Sequence, residues 1–548
     1  MTNTMYTPFK EIDFGFSDAE GYVSSNKDMF NNIFIGDELE ALMSPDKYYL
    51  IGEKGTGKTA YAVFFENNDY KNTTSVRMNL EDTDILSFIN MKKAGHLQLS
   101  EYKDIWEVVL LINIIRCVRK DDIDAIFSFK QKKYDAMLAV LENYGLLAFR
   151  PEVVTTLSVI QKNSDRIASE LKASILAVSG TTEGASSFET AEGSETKVIQ
   201  NSIFLLKNLL IDVVKGLRLK KNRFLFIDKI DVYNSSSINF DEYKLWVKYL
   251  AEAVYYLNTS VFRAIKDRKG FIKIVLLLRP DVFDKLNLYN QGNRIRDNSV
   301  ILDWQTSYRD YRHSKLFKLA DNLLRYANNA VDALDPKDDG FYWDLYFGWK
   351  SSSTDPNTRT QDDSFISFLR FSLCRPRDIV EFLKAIKQQA ILVNSQQTDT
   401  TFECFHSYKC QKSISDYFLQ EARDWCLYKY PNGEFETIKH FFGFMNTGKA
   451  VKYSEYLTYY NEYIRSCENR SKMIVFEEME TPEDFLQLLY ELNMICYIET
   501  AESGETYQIY CYRMRSISDL SPKIPPNKEY RVHRALLKSL NIEDENRV

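Results

Sequence analysis

The 548-residue chain has only five histidines, 12 prolines and 20 glycines, and its eight cysteines include no Cys-x-x-Cys pair. The irregular cysteine spacing excludes a disulfide framework or a zinc knuckle as the organising principle and leaves buried thiols in a reducing compartment. Cys404, His406 and Cys410 form a Cys-x-His-x-x-x-Cys cluster. It lacks the fourth ligand and the tighter spacing that a structural zinc site needs. No apolar run is long enough to span a bilayer: the strongest, 108–112 and 274–278, are short. The first ten residues lack an apolar signal core. These absences predict a cytoplasmic chain that would reach a membrane only through a partner. The net charge of -7 is spread without an acidic or basic tail, so the overall field does not advertise nucleic acid. No nuclease, protease or deaminase signature is evident.

What the sequence does hold is 45% hydrophobic residues and 14% aromatics, with 35 Tyr and 35 Phe. That is enough for several cores in a chain whose length suggests about three domains. Residues 47–51 read as a short buried strand, followed by a glycine-rich turn and helix-compatible sequence. Residues 75–80, 223–227 and 272–278 read as further strands, and 104–118, 199–217 and 240–256 as helices between them. Strands alternating with helices predict a parallel α/β sheet. Residues 120–177 look helical, and 178–198, small and acidic, read as a surface loop. From 301 the pattern is mainly helical, clearest at 314–330 and 363–394. A helix over 481–492 and strands over 494–500 and 506–513 predict a winged-helix-like unit. The expected division is an ATPase core over 1–300, a helical lid over 301–400 and a mixed C-terminal domain over 401–548.

Four segments carry chemistry. Gly52-Glu53-Lys54-Gly55-Thr56-Gly57-Lys58-Thr59 is GxxxxGKT between a strand and a helix. Glycines allow successive N–H groups to converge on a phosphate, Lys58 adds a mobile cation, and the Thr59 hydroxyl suits Mg²⁺. Phe224-Leu225-Phe226-Ile227-Asp228 is an apolar strand ending in an acid, the Walker B form, which makes Asp228 a second Mg²⁺ ligand. Lys229 follows where many ATPases carry a catalytic Glu. Asp231 is the next acid, and it either polarises the attacking water or caps the next segment. Arg279 ends the strand 273–278 and either senses the γ-phosphate or pairs with Asp281 or Asp284; the sensor role is favoured because open α/β sheets bind ligands at strand ends. Arg375-Pro376-Arg377-Asp378 opens a helix, and its arginines reach a nucleotide from the lid or cap locally.

This ordered set resembles the AAA+-related STAND and archaeal-type ATPases, whose Asp-x-x-Asp pair is matched by Asp228 and Asp231. The segment 13–20, Asp-Phe-Gly-Phe-Ser-Asp-Ala-Glu, is similar to one in a bacterial P-loop ATPase family that also shows Arg-Pro-Arg-Asp. The resemblance covers roughly residues 10–390. It implies a P-loop NTPase core with a helical lid, ATP and Mg²⁺ as cofactors, oligomers or a protein effector as partners, and a role in anti-phage defence. The missing acid after Asp228 implies slow or stimulus-dependent hydrolysis. Two rivals stand beside this switch: a DNA-binding ATPase resembling origin-recognition proteins, and a scaffold that binds nucleotide structurally. Residues 401–548 hold 18 Lys and Arg against 23 Asp and Glu, with no Lys or Arg over 473–512, which disfavours phosphate contact by the helix–wing segment. The basic stretches 215–223 and 513–538 are the remaining candidates for nucleic acid.

Overall fold

The computed structural model describes residues 6–81, 84–86, 89–90, 102–123, 128–147, 153–179, 195–230, 240–265, 269–354, 361–393, 400–429, 434–468, 479–502, 504–515 and 519–543. The core of the predicted loop over 178–198, residues 180–194, lies outside them. Two compact units emerge, one comprising Asp37–Ile51 and Tyr61–Ile301, the other Met1–Gly36, Gly52–Ala60 and Leu302–Val548.

The first unit is built on a five-stranded, all-parallel sheet of β1 (Tyr49–Ile51), β2 (Thr73–Asn79), β3 (Asn222–Asp228), β4 (Ile272–Leu278) and β5 (Ser299–Ile301). The order is β2-β3-β4-β1-β5. Every residue of β3 and β4 is buried. That is the physical reason for their unbroken apolar runs: a parallel strand covered by helices on both faces has no solvent side to alternate toward. Edge strand β2 instead mixes buried and exposed positions, with Val76 exposed. The helices Tyr102–Cys117 and Phe240–Tyr256 pack together through Trp106 and Trp246, whose rings meet edge-on at 5.0 Å. Such a pair contributes about 0.5–1.5 kcal/mol beyond its area. Asn258 ties the π-helical turn Leu257–Phe262 to β4, donating to the Ile274 carbonyl at 3.0 Å and accepting its N–H at 3.1 Å.

Two registers place the ends of the central strands. Ile227 lies beside Leu276, and Leu276 beside Tyr49. Asp228 therefore sits at the carboxyl end of β3 and Arg279 one residue past that of β4. The chain leaves β1 at Ile51 directly into Gly52.

The second unit is mainly helical. Its core is aromatic: Trp343 stacks on Phe347 at 4.4 Å and meets Phe365 and Phe368 edge-on at 5.0 Å each. Phe9 of the N-terminal segment joins it through Phe347 at 5.4 Å. The helix expected over 363–394 is two helices, Ser364–Phe371 and Pro376–Val393. They part because Cys374 takes a left-handed φ of 51° and Arg375, preceding proline, is pushed out of the α region. A short hairpin, β6 (Lys350–Thr354) with β7 (Gln361–Asp363), precedes them.

The C-terminal part of this unit holds an antiparallel sheet ordered β10-β9-β11-β8, from β8 (Val451–Lys452), β9 (Ile495–Thr500), β10 (Thr506–Ile509) and β11 (Glu529–Val532). The helix Pro482–Glu491 leads into it, with Thr481 capping through the Asp484 N–H at 3.1 Å. The strand expected over 506–513 stops at Ile509, and Cys511–Met514 is a helical turn. That turn carries the Arg513 guanidinium over the rings of Tyr308 and Tyr512.

Candidate functional site

The glycine-rich loop has a defined shape. Gly55 and Gly57 adopt φ of 85° and 91°, which side chains with a Cβ rarely accept, and the helix Lys58–Asn67 starts immediately after them. A Cβ on Gly52 would lie 2.4 Å from Thr56 Oγ1, so this position is closed to any other residue without a shift.

Six successive carbonyls of the loop are each taken by a donor. Lys58 Nζ donates to the Gly52 carbonyl at 2.8 Å and to that of Glu53 at 3.1 Å. Thr56 Oγ1 also donates to the Glu53 carbonyl, at 2.8 Å. Arg375 Nη1 donates to the Lys54 carbonyl at 3.0 Å, and the Arg377 N–H to that of Gly55 at 3.4 Å. The Trp304 indole donates to the Thr56 carbonyl at 2.9 Å, and the Ala60 N–H to that of Gly57 at 2.9 Å. The Thr56 N–H is also spent within the loop, on the Glu53 carbonyl at 3.3 Å, and the loop runs directly into the N-terminus of the helix Lys58–Asn67.

The loop's side chains are fixed as well. Lys54 Nζ pairs with Glu421 Oε1 at 3.0 Å and Asp424 Oδ2 at 2.9 Å, both on the helix Tyr408–Lys429. Glu53 pairs with Arg515. Arg375 is buried; it grips Asp378 through Nε at 3.0 Å and Nη2 at 2.7 Å, and reaches Glu421 Oε2 at 3.1 Å. Burial works against the charge on both partners. For Arg375 it is outweighed by Asp378, Tyr417 and Glu421, which hold the guanidinium well above its ordinary pKa. For Glu421 it is outweighed by Arg375, Lys54 and Arg377, which hold the carboxyl below the usual carboxylate range.

The structure thus brings Arg375 and Arg377 to the loop. It also adds Trp304, Tyr417, Glu421, Asp424 and Arg515, which sequence reading did not single out. Glu421, Asp424 and Arg515 offered the sequence only charge of the right sign, which many surface helices share, and Trp304 and Tyr417 offered only an aromatic ring in a chain rich in them.

In the sheet unit, Asp228 is buried at the end of β3. Its Oδ1 accepts the Lys229 N–H at 2.8 Å, and its Oδ2 lies 3.7 Å from Arg77 Nη1 of β2. Arg77 also approaches Glu66 at 3.6 Å. Lys229 takes a left-handed φ of 60°. Arg279 caps the short helix Pro280–Lys285 and grips Asp281 in a two-point pair, at 3.0 and 2.6 Å. Both are buried. Asp231 lies outside the described residues.

His406 gives its Nδ1 to the Phe402 carbonyl at 2.8 Å, and burial raises the Cys404 and Cys410 thiols, Cys410 to about 12. Among the described residues no group of three or more His, Cys, Asp or Glu could hold a metal. No described helix is long and apolar enough to cross a membrane.

No protein-family model matches the chain, and no curated protein and no solved structure matches it significantly.

Proposed function

We propose that the chain binds ATP–Mg²⁺ through its glycine-rich loop and acts as a nucleotide-dependent switch. The observation that carries this reading is the run of six engaged carbonyls over Gly52–Gly57, which includes the two left-handed glycines Gly55 and Gly57. A loop held in this way is a pre-shaped anion cradle, and a glycine turn without such a role has no reason to have its carbonyls gripped from two distant segments, Trp304 and residues 375–377. In this reading the core is a P-loop NTPase core, Lys58 serves the β- and γ-phosphates, and the Thr59 hydroxyl and the Asp228 carboxylate serve Mg²⁺. Mg²⁺ sites built on phosphates need only one or two protein ligands, so a larger acidic cluster is not required. Mg²⁺ would neutralise charge on the transferred phosphoryl group. The order of the sheet supports the reading: β1, which feeds the loop, lies inside a parallel sheet, where ligands gather at carboxyl ends.

Hydrolysis in this proposal is slow or stimulus-dependent. Position 229 offers a lysine instead of an acid, and Asp228 itself faces Arg77. The biological setting we propose is bacterial anti-phage defence, with the switch acting on a second copy of the chain or on an effector protein, and the C-terminal sheet, read as a winged-helix-like unit, as the responding surface.

DNA binding is less favoured because several cations of the basic stretches are paired within the fold. Arg223 pairs with Asp122, and Lys221 with Asp69 at 3.1 Å. Arg515 pairs with Glu53, Lys528 lies 3.0 Å from Glu499, and Arg531 Nε donates to the Gly448 carbonyl at 2.9 Å.

Isothermal titration with ATP–Mg²⁺ tests the reading. Binding is expected in the wild type and lost in Lys58→Ala. Asp228→Ala is expected to retain binding in EDTA but to lose Mg²⁺-dependent phosphate release. A wild type that binds no ATP would overturn the proposal; tight, salt-sensitive DNA binding with brisk DNA-stimulated turnover would favour the origin-recognition rival. Binding without any turnover under stimulation would favour the scaffold.

A further inference from the structure

The side chains around the loop form a matched set of charges. Lys54, Arg375 and Arg377 supply three cations, and Asp378, Glu421 and Asp424 supply three carboxylates. Asp378 belongs to the same helix start as Arg375 and serves it locally, also accepting the Leu373 N–H at 2.8 Å. Glu421 and Asp424 differ. They come from a separate helix, and Glu421 alone touches Lys54, Arg375 and Arg377, the last at 3.9 Å. Nothing in the backbone of the loop requires them, because Arg375 keeps its two-point pair with Asp378 and its bond to the Lys54 carbonyl without them.

The same helix is fastened elsewhere to the C-terminal segment. Ser415 Oγ accepts the Ser539 N–H at 2.8 Å, Ser539 Oγ donates to Asp416 at 2.6 Å, and Phe418 stacks on His533 at 5.8 Å. Displacing Glu421 and Asp424 from the loop therefore pulls on residues 533–539.

We propose that Glu421 and Asp424 are an acidic gate on the phosphate loop, competing with a polyphosphate for Lys54, Arg375 and Arg377 and so setting nucleotide affinity. This rests on the nucleotide-binding reading above. A polyphosphate carries the same sign as the two carboxylates, so it must draw the three cations away from them or bind beside two like charges. Either route lowers affinity and ties occupancy of the loop to the position of the helix and the C-terminal segment.

The test is titration of the full-length chain with ATP–Mg²⁺ and, separately, with inorganic tripolyphosphate, for wild type, Glu421→Gln, Asp424→Asn and Lys58→Ala. Glu421→Gln keeps the shape and one acceptor oxygen. Asp424 is 40% exposed at its side chain, so Asp424→Asn keeps the test valid if the buried site tolerates no change. The gate predicts about tenfold tighter binding of both ligands in each carboxamide variant, a difference of about 1.4 kcal/mol. Tightening for ATP but not for tripolyphosphate would overturn it, because the competition is for the phosphates. If wild type binds, Lys58→Ala does not, and the carboxamide variants bind equally or more weakly, the gate alone fails. If no protein in the series binds either ligand, the nucleotide reading fails with it.

Discussion

Arg375 is the residue whose removal should do most damage around the loop. It is 6% exposed, and Asp378, which it grips, is fully buried. Replacing it with Met keeps a long side chain but withdraws the bonds to Asp378, Glu421 and the Lys54 carbonyl. Asp378 would keep the Leu373 N–H and the Tyr417 hydroxyl, at 2.8 and 2.9 Å, against a full negative charge. Breaking a buried ion pair from one side costs about 3–5 kcal/mol, most of it the stranded charge. In a unit of this size each kcal/mol lowers Tm by about 2–4 °C, so Arg375→Met should melt about 10 °C below wild type.

The pH dependence gives a sharper check. In wild type the Glu421 carboxyl is held below its unfolded value despite burial, chiefly by Arg375. That contribution is present above the unfolded pKa of about 4.3 and is lost as pH falls through the lower folded value. In Arg375→Met, burial of Glu421 is opposed by fewer cations, so its folded pKa rises and acidification relieves the charge on that carboxyl. The stability gap between the two proteins should therefore narrow between pH 7 and pH 4. Urea titrations followed by circular dichroism at several pH values measure it. A loss under about 1 kcal/mol at pH 7, or a gap that widens on acidification, would refute the assignment of Arg375 as the buried anchor.

Two further substitutions separate backbone strain from burial. Gly57→Ala meets nothing nearer than Ala60 Cβ at 3.7 Å, so its cost is the left-handed conformation alone, about 1–2 kcal/mol in denaturant titration; an unchanged midpoint would contradict the φ of 91°. Lys273 is fully buried on β4, its ammonium 4.2 Å from the Phe224 ring centroid and bonded to the Ser44 carbonyl at 3.1 Å, and burial holds its pKa well below the ordinary lysine value. The unfolded chain therefore binds the extra proton, and wild-type stability should climb as pH rises toward about 10.4. Lys273→Met should remove that climb, and equal slopes for both proteins between pH 7 and 10 would exclude it.

The legible parts of the fold were those with one physical cause. β3 and β4 could be read because burial on both faces demands an unbroken apolar run. β8, with two residues, and β11, with four, could not, because their pairing depends on partners rather than on any periodicity of their own. The same contrast holds at the site. Gly55 and Gly57 mark a tight turn before a helix because backbone conformation dictates residue type there. The residues that hold the loop are dictated only by proximity: Trp304 lies 248 positions from Thr56 and Arg515 lies 462 from Glu53. For Arg279 the sequence offered two partners, phosphate or a local acid, and the structure pairs it with Asp281.

That pairing belongs to a pattern that bears on rate. Each cation that the sequence offers a nucleotide, and Arg77 beside Asp228, has a partner within its own unit, Arg377 facing Glu421 at 3.9 Å. Arg279 faces Asp281, Arg77 faces Asp228 and Glu66, Arg375 faces Asp378 and Glu421, and Lys58 is bonded to two carbonyls of the loop. A fast phosphoryl-transfer site keeps its donors aimed at the charge that develops, so that no reorganisation accompanies the reaction. Under the proposed nucleotide-binding reading, the cations here must exchange protein carboxylates and carbonyls for phosphate oxygens. Each exchange trades one ion pair for another, so the net gain in binding is small while the number of side chains that move is large. Such a site is poorly suited to rapid turnover and well suited to converting the arrival of a polyphosphate into displacement of Glu421, Asp424 and the helix that carries them. Under the same proposed reading, Lys229 stands where many ATPases carry a catalytic acid, which agrees with slow turnover.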